Sequence, residues 1–213
     1  DYVPEGAVRI NCGKQKDNHT IPQEEINQIL IHFARQGKRV VRLKGGDPSI
    51  FGRVGEEAEA IADQHLPFEI VPGVTSGIGA SIYAGIPLTH RDYSASVTFI
   101  TGHRRNDKST KDLDWANLAQ GVDTIVFYMG MSNLPFIQKQ LIRHGRNALT
   151  PVALIRWGTM KKQDVLIGEL WNIVDEAKHA GFQSPVIIVI GEVVKLREKL
   201  AWFGKREVES LLL

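Results

Sequence analysis

The run Val41-Arg42-Leu43-Lys44-Gly45-Gly46-Asp47-Pro48 holds the residue types best suited to gripping a small molecule. Val40, Val41 and Leu43 are strand formers. Gly45 and Gly46 follow them and remove side chains where a backbone must bend or let a ligand approach. Asp47 is able to cap its own turn, and Pro48 stops the strand from continuing. In an open α/β sheet, ligands bind beyond the carboxyl ends of the strands. This run therefore predicts a glycine floor and one carboxylate at such an end. The same eight residues would also serve as a plain strand-to-helix turn.

The elements that must position this turn alternate along the chain. Ala7 to Asn11, Arg39 to Leu43 and Phe68 to Val71 read as strands. Ile26, Ile29, Leu30 and Phe33 recur at helical spacing behind Pro22, Glu24 and Glu25, which suit a helix start. A second helix begins at Gly55-Glu56-Glu57. A third, from Thr75 to Tyr83, is rich in small residues and lets a neighbour pack close. After Pro87–Asp92 the pattern restarts. Val97 to Thr101, Thr124 to Met129, Val152 to Trp157, Val165 to Gly168 and Val186 to Ile190 read as strands, the fourth in a hairpin. Residues 103–114 read as an exposed polar loop, and 133–144 as a helix. Strands ending in glycine with helices between them predict an α/β fold with a partly parallel sheet.

Composition narrows the function. Net charge is only +2 among 213 residues, too little to argue for nucleic acid. The single cysteine, Cys12, allows no intrachain disulfide and no thiolate metal cluster, and fits a reducing compartment. The longest apolar run, Val186 to Ile190, is too short to cross a bilayer. The expectation is a cytoplasmic protein with no metal, no nucleic-acid partner and no membrane partner.

Several words in this order resemble the tetrapyrrole methylase family. They are Cys12-Gly13-Lys14, His19 through Asn27 (HTIPQEEIN), Arg39 through Phe51 (RVVRLKGGDPSIF) and Val71-Pro72-Gly73-Val74-Thr75. Then come Gly85 through Tyr93 (GIPLTHRDY), Thr98 through His103 (TFITGH), Phe127-Tyr128-Met129-Gly130, Trp157-Gly158-Thr159 and Ser184-Pro185. The words cover nearly the whole chain. The long GIPLTHRDY and TFITGH blocks resemble the branch acting on uroporphyrinogen III more than those acting on RNA, diphthamide or later precorrins.

The resemblance implies a two-lobed α/β fold with mixed sheets, lobes at 1–92 and 93–213, and S-adenosylmethionine in the cleft between them. It implies a homodimer that methylates uroporphyrinogen III at C2 and C7, yields precorrin-2 for siroheme or cobalamin synthesis, and releases S-adenosylhomocysteine. Implied cofactor contacts are Gly45, Gly46, Asp47, Ile50, Thr75, Ser76, Met129 and Gly158, and Lys14 matches a proposed proton donor. Because the substrate carries eight carboxylates, cations are expected around it: His90, Arg91, Arg42 and Arg53 first, with His103, Arg104 and Arg156 as further candidates. Family members open with a strand, a Gly-x-Gly-Pro-Gly-Asp loop and a later aspartate proposed as proton acceptor. None of these is in the sequence. Two alternatives follow: a chain that binds cofactor or tetrapyrrole without catalysing, or a sister enzyme acting on another precorrin.

Overall fold

The structure is a computed structural model that describes residues 3–13, 21–102 and 113–204. Lys14, His103 and Arg104 lie outside the described residues, as do most of the polar loop and of the leucine-ended tail. Contacts group the chain into two units, Asp1–Gly73 and Val74–Leu213.

In the first unit, helix α1 (Gln23–Arg35) starts at Pro22, with Glu24 and Glu25 in its first turn and His32 and Arg35 in its last. That charge order suits the helix dipole. Gly37, at φ 72°, ends the helical course as a left-handed residue. Ile26, Leu30 and Ile31 form its buried face, which packs against α2 (Val54–Ala62).

The three strands expected in this unit are a correction. Residues 7–11, 39–43 and 68–71 carry no strand assignment. Val8, Val41 and Leu43 are 79%, 76% and 77% exposed. A β-strand is stabilised by ladder bonds and cross-strand pairs with a neighbour. None of these segments pairs with another described strand, so strand-type residues alone do not make a sheet. An open cavity of about 860 Å³ is lined by residues 38–44 and 67–72 together with Leu30, Ala58 and Ile61.

The second unit is built on a five-stranded sheet of order β1-β2-β5-β3-β4. The strands are β1 (Val97–Thr101), β2 (Thr124–Tyr128), β3 (Pro151–Arg156), β4 (Asp164–Glu169) and β5 (Val186–Ile190). β1 and β2 run parallel, and β5 is antiparallel to both β2 and β3. β3 and β4 form the expected antiparallel hairpin. A parallel pair needs a crossover, and α4 (Trp115–Gln120) lies in the one joining β1 to β2. That helix has no counterpart in the sequence reading.

β2 and β5 are buried at every position because they sit inside the sheet with both faces covered. Ile125, Phe127, Leu154 and Ile188 point to one face. There they meet Trp115, Ile137 and Leu141 from α4 and α5 (Leu134–Arg143), and Ile173 from α6 (Ile173–His179). Helix α3 (Ser76–Tyr83) packs on β2 and β5. The short α7 (Arg197–Leu200) follows the last strand, and Arg197 donates from Nη1 to the carbonyl of Ala84 just after α3. Among the described residues, no helix is long and apolar enough to cross a membrane.

Candidate functional site

In the first unit the structure turns the glycine run into a tight corner. Asp47 Oδ1 accepts from the Ser49 amide at 2.8 Å and from the Ser49 hydroxyl. Its Oδ2 accepts from the Gly73 amide at 2.9 Å. The Ser49 hydroxyl first, then the Gly73 and Ser49 amides, hold the Asp47 carboxyl below the ordinary aspartate range. Asp47 thus caps its own turn, as expected, and also ties that turn to the Val71-Pro72-Gly73 segment. A Cβ on Gly73 would lie 2.5 Å from the Gly46 carbonyl oxygen, so this approach needs glycine. Gly46 itself has φ 74°. Gly45 has open space where a Cβ would be, so its backbone face is free to meet a ligand. Ile50 is half-buried at the end of the same loop.

One buried carboxylate stands behind this corner. Glu57, 3% exposed, accepts from Lys44 Nζ at 2.8 Å, Arg42 Nε at 3.2 Å and Gln23 Nε2 at 3.1 Å. Burial pushes its pKa up. The bonds from Lys44 and Gln23 and the charges of Lys44 and Arg42 outweigh that, so the net displacement is downward. Arg42, a candidate for substrate carboxylates, is therefore engaged by Glu57. Arg53 is held likewise, by Glu56 at 2.7 and 2.5 Å. In the sequence, Glu56 and Glu57 mark a helix start. The separate role of Glu57 depends on the course of residues 42–44, which no local pattern reveals.

The second unit gathers the other expected contacts. Thr75 is the N-cap of α3, yet its side chain makes no cap bond. Its hydroxyl lies 2.7 Å from the Tyr128 hydroxyl, which also accepts from the Gly77 amide at 2.8 Å. Ser76 is exposed beside them. Met129 follows Tyr128 at φ 53° and is 54% exposed, so it is not core packing. A non-glycine residue with positive φ is a sparsely populated conformation that clusters at ligand sites. Trp157, after β3, repeats it at φ 52°. Lys162 Nζ lies 3.6 Å from the Trp157 ring centroid, a cation–π contact. Gly158 lies against α3, where a Cβ on it would come 2.4 Å from the Ala80 Cβ.

His90 and Arg91 sit in the turn joining His90 to Ser94. His90 Nδ1 accepts from the Asp92 amide at 3.2 Å, and its ring packs on Tyr93 with centroids 5.0 Å apart. Arg91 is exposed. Arg156 is bound to Asp164 at 2.6 Å and lies over Phe182, which makes it a brace of the hairpin end. Tyr128, to which the sequence analysis assigns no role, links Thr75 to the first turn of α3. The available signal was a hydroxyl-bearing aromatic at the end of a wholly buried strand, where a buried hydroxyl needs a partner.

A glycine corner with a fixed carboxylate lies in the first unit, and a helix rich in small residues beside left-handed strand ends lies in the second. Residues 1–173 match the tetrapyrrole (corrin/porphyrin) methylases, and the chain belongs to that family. It is 53% identical over 91% of its length to a uroporphyrinogen-III C-methyltransferase from Priestia megaterium, of which it covers 81%. It is 55% identical over 97% of its length to siroheme synthase 2 of Yersinia enterocolitica, of which it spans only 43%. Its fold is similar to that of a uroporphyrin-III C-methyl transferase from Thermus thermophilus crystallised with S-adenyl homocysteine. That match has a TM-score of 0.71 and 33% identity over 82% of this chain and 75% of the other.

Proposed function

We propose that this chain is the S-adenosylmethionine-dependent methyltransferase part of an enzyme that converts uroporphyrinogen III to precorrin-2, with methylation at C2 and C7. The observation that carries this reading is the 53% identity to a uroporphyrinogen-III C-methyltransferase of which the chain covers 81%. The residues present suit such a cofactor: Gly45 has an open backbone face, Ser76 is exposed, and Met129 is half out of the core. When bound, S-adenosylmethionine would supply the electrophilic methyl group.

The part of the chain is to bind, orient and exclude water, since most of the acceleration in such a displacement comes from alignment. Gly45, Gly46, Asp47, Ile50, Thr75, Ser76, Met129 and Gly158 are the proposed cofactor contacts. A porphyrinogen pyrrole is electron-rich, so carbon attack needs no metal. The methylated ring must then lose a proton, and the macrocycle must gain one elsewhere, which general acid–base groups assist. Lys14 is the proposed donor. His90, Arg91, Arg42 and Arg53 are the proposed partners of substrate carboxylates; the last two reach them only by leaving Glu57 and Glu56. Homodimerisation, a cytoplasmic location and a lobe boundary at 92/93 belong to the same proposal.

A second reading has its own observation. The aliphatic side chains of Val41, Leu43, Ile70 and Val71 are exposed on segments without strand pairing. This favours a chain that holds a ligand but does not turn over by itself. The test is anaerobic transfer from S-adenosylmethionine to enzymatically made uroporphyrinogen III, read by product mass and absorbance. A gain of two methyl groups is expected. No gain here, with activity in an N-terminally extended chain, supports the second reading. No gain from either overturns the substrate assignment.

A further inference from the structure

The Tyr128 hydroxyl does work that an N-cap side chain normally does, and does it from a different element. The first N–H groups of a helix have no partner within the helix, and the cap residue's side chain usually accepts from one of them. In α3 the cap residue is Thr75, a good capping type, but it makes no such bond. Tyr128 accepts from the Gly77 amide in its place and pairs with the Thr75 hydroxyl, with both contacts buried.

The ring is fixed from several sides. Phe99 meets it edge-on, with centroids 5.9 Å apart. A Cβ on Gly77 would lie 2.3 Å from the Tyr128 hydroxyl oxygen and 3.1 Å from Phe99, so only glycine admits the ring here. The Tyr128 carbonyl accepts from the Gly102 amide at 2.6 Å. Gly102 and Gly130 cross so closely that a Cβ on Gly102 would lie 2.4 Å from the Gly130 Cα. The carboxyl end of β2 is therefore clamped, and the left-handed Met129 is the next residue. Tyr128 thus holds the Thr75–Ser76 corner through its hydroxyl, while its main-chain carbonyl belongs to the clamped backbone that leads into Met129.

We propose that Tyr128 is a positioning residue for adenosyl-cofactor binding. Its hydroxyl orients Thr75 and Ser76 relative to Met129 without itself contacting the ligand. This inference rests on the cofactor reading above. The consequence is specific: losing the hydroxyl degrades affinity for the cofactor, while the tetrapyrrole subsites keep theirs.

The test uses the full-length protein and S-adenosylhomocysteine as the probe, titrated by calorimetry. Alongside it run steady-state kinetics with each substrate and thermal unfolding. Tyr128→Phe keeps the ring and leaves two polar groups without their partner. Loss of one buried hydrogen bond is commonly worth about a tenfold change in an equilibrium constant. The expected result is a Kd for S-adenosylhomocysteine raised about tenfold, with KM for the tetrapyrrole and kcat changed less than about threefold. Thr75→Val, singly and combined with Tyr128→Phe, supplies the second measurement and serves if the tyrosine variant fails to fold. Because the hydroxyls act as one unit, the double variant should bind no more weakly than the worse single.

A Tyr128→Phe Kd within twofold of the parent, whatever the melting temperature does, overturns the proposal and leaves Tyr128 as packing. Additive losses in the double variant overturn it as well. If the parent protein fails to bind S-adenosylhomocysteine, the cofactor reading itself fails and this inference with it. The two failures are thereby told apart.

Discussion

Gly158→Ala tests whether that glycine serves the fold or only makes room for a ligand. The added Cβ would sit 2.4 Å from the Cβ of Ala80 and 2.8 Å from its Cα. Carbon atoms in good contact stand about 3.5–4.0 Å apart, so the overlap exceeds 1 Å and involves backbone. Ala80 is 4% exposed. Helix α3 is not free to retreat, because the Tyr128 hydroxyl holds its first turn and Gln163 and Trp202 donate to the carbonyls of Tyr83 and Ile82 at its end. Overpacking of this kind costs about 1–3 kcal/mol, and a site that is unable to relax lies at the upper end. For a chain of this length, each kcal/mol moves Tm by about 2–4 °C. The expected fall is therefore about 6–12 °C, measured by calorimetry or circular dichroism without ligand. Adding Ala80→Gly relieves the 2.4 Å contact but keeps the 2.8 Å one and adds helical flexibility worth about 1 kcal/mol, so rescue should be partial. A fall below 2 °C would refute the packing argument. A loss of S-adenosylhomocysteine affinity without a change in Tm would assign Gly158 to the ligand alone.

The other predictions concern the first unit. Glu57→Gln leaves Lys44 and Arg42 without their buried anion; because both cations keep some solvent access, the expected loss is about 2 kcal/mol rather than the full cost of a stranded buried charge, read as a lower urea midpoint. Glu57 has its folded pKa displaced downward, so its contribution is present above the ordinary glutamate range and lost as pH falls through the lower folded value. Urea midpoints of the parent should fall across acid pH more steeply than those of Glu57→Gln, and parallel curves would count against the assignment. Asp47→Ala, which removes the bridge from Ser49 to Gly73, should weaken S-adenosylhomocysteine binding clearly by calorimetry, while an unchanged Kd would remove Asp47 from the site. Gly55→Ala, inside α2 with open space around it, should raise stability by about 0.5–1 kcal/mol; a fall in melting temperature would show that the glycine is required.

The second unit was largely legible in the sequence because its signals are local and mutually consistent. Short β-branched apolar runs such as Val186 to Ile190 favour buried strands, and the Val152–Trp157 and Val165–Gly168 runs are close enough to pair as a hairpin. Helix α4 was not legible: six residues after a polar loop hold too short a period to stand out. In the first unit the strand-type residues around Val41 and Ile70 were read correctly for propensity and wrongly for structure. Strand formation depends on a neighbour that propensity does not contain.

The sequence by itself determined the family, the order of the strands in the second unit and the turn that Asp47 caps, since each depends on short runs of neighbouring residues. Only the tertiary structure decided that Arg42 is held by Glu57, that Gly158 makes way for Ala80, and that Tyr128 caps a helix that begins 52 residues earlier. These are contacts between distant segments, and their geometry follows from how the helices settle on their neighbours, which no local run of residues encodes.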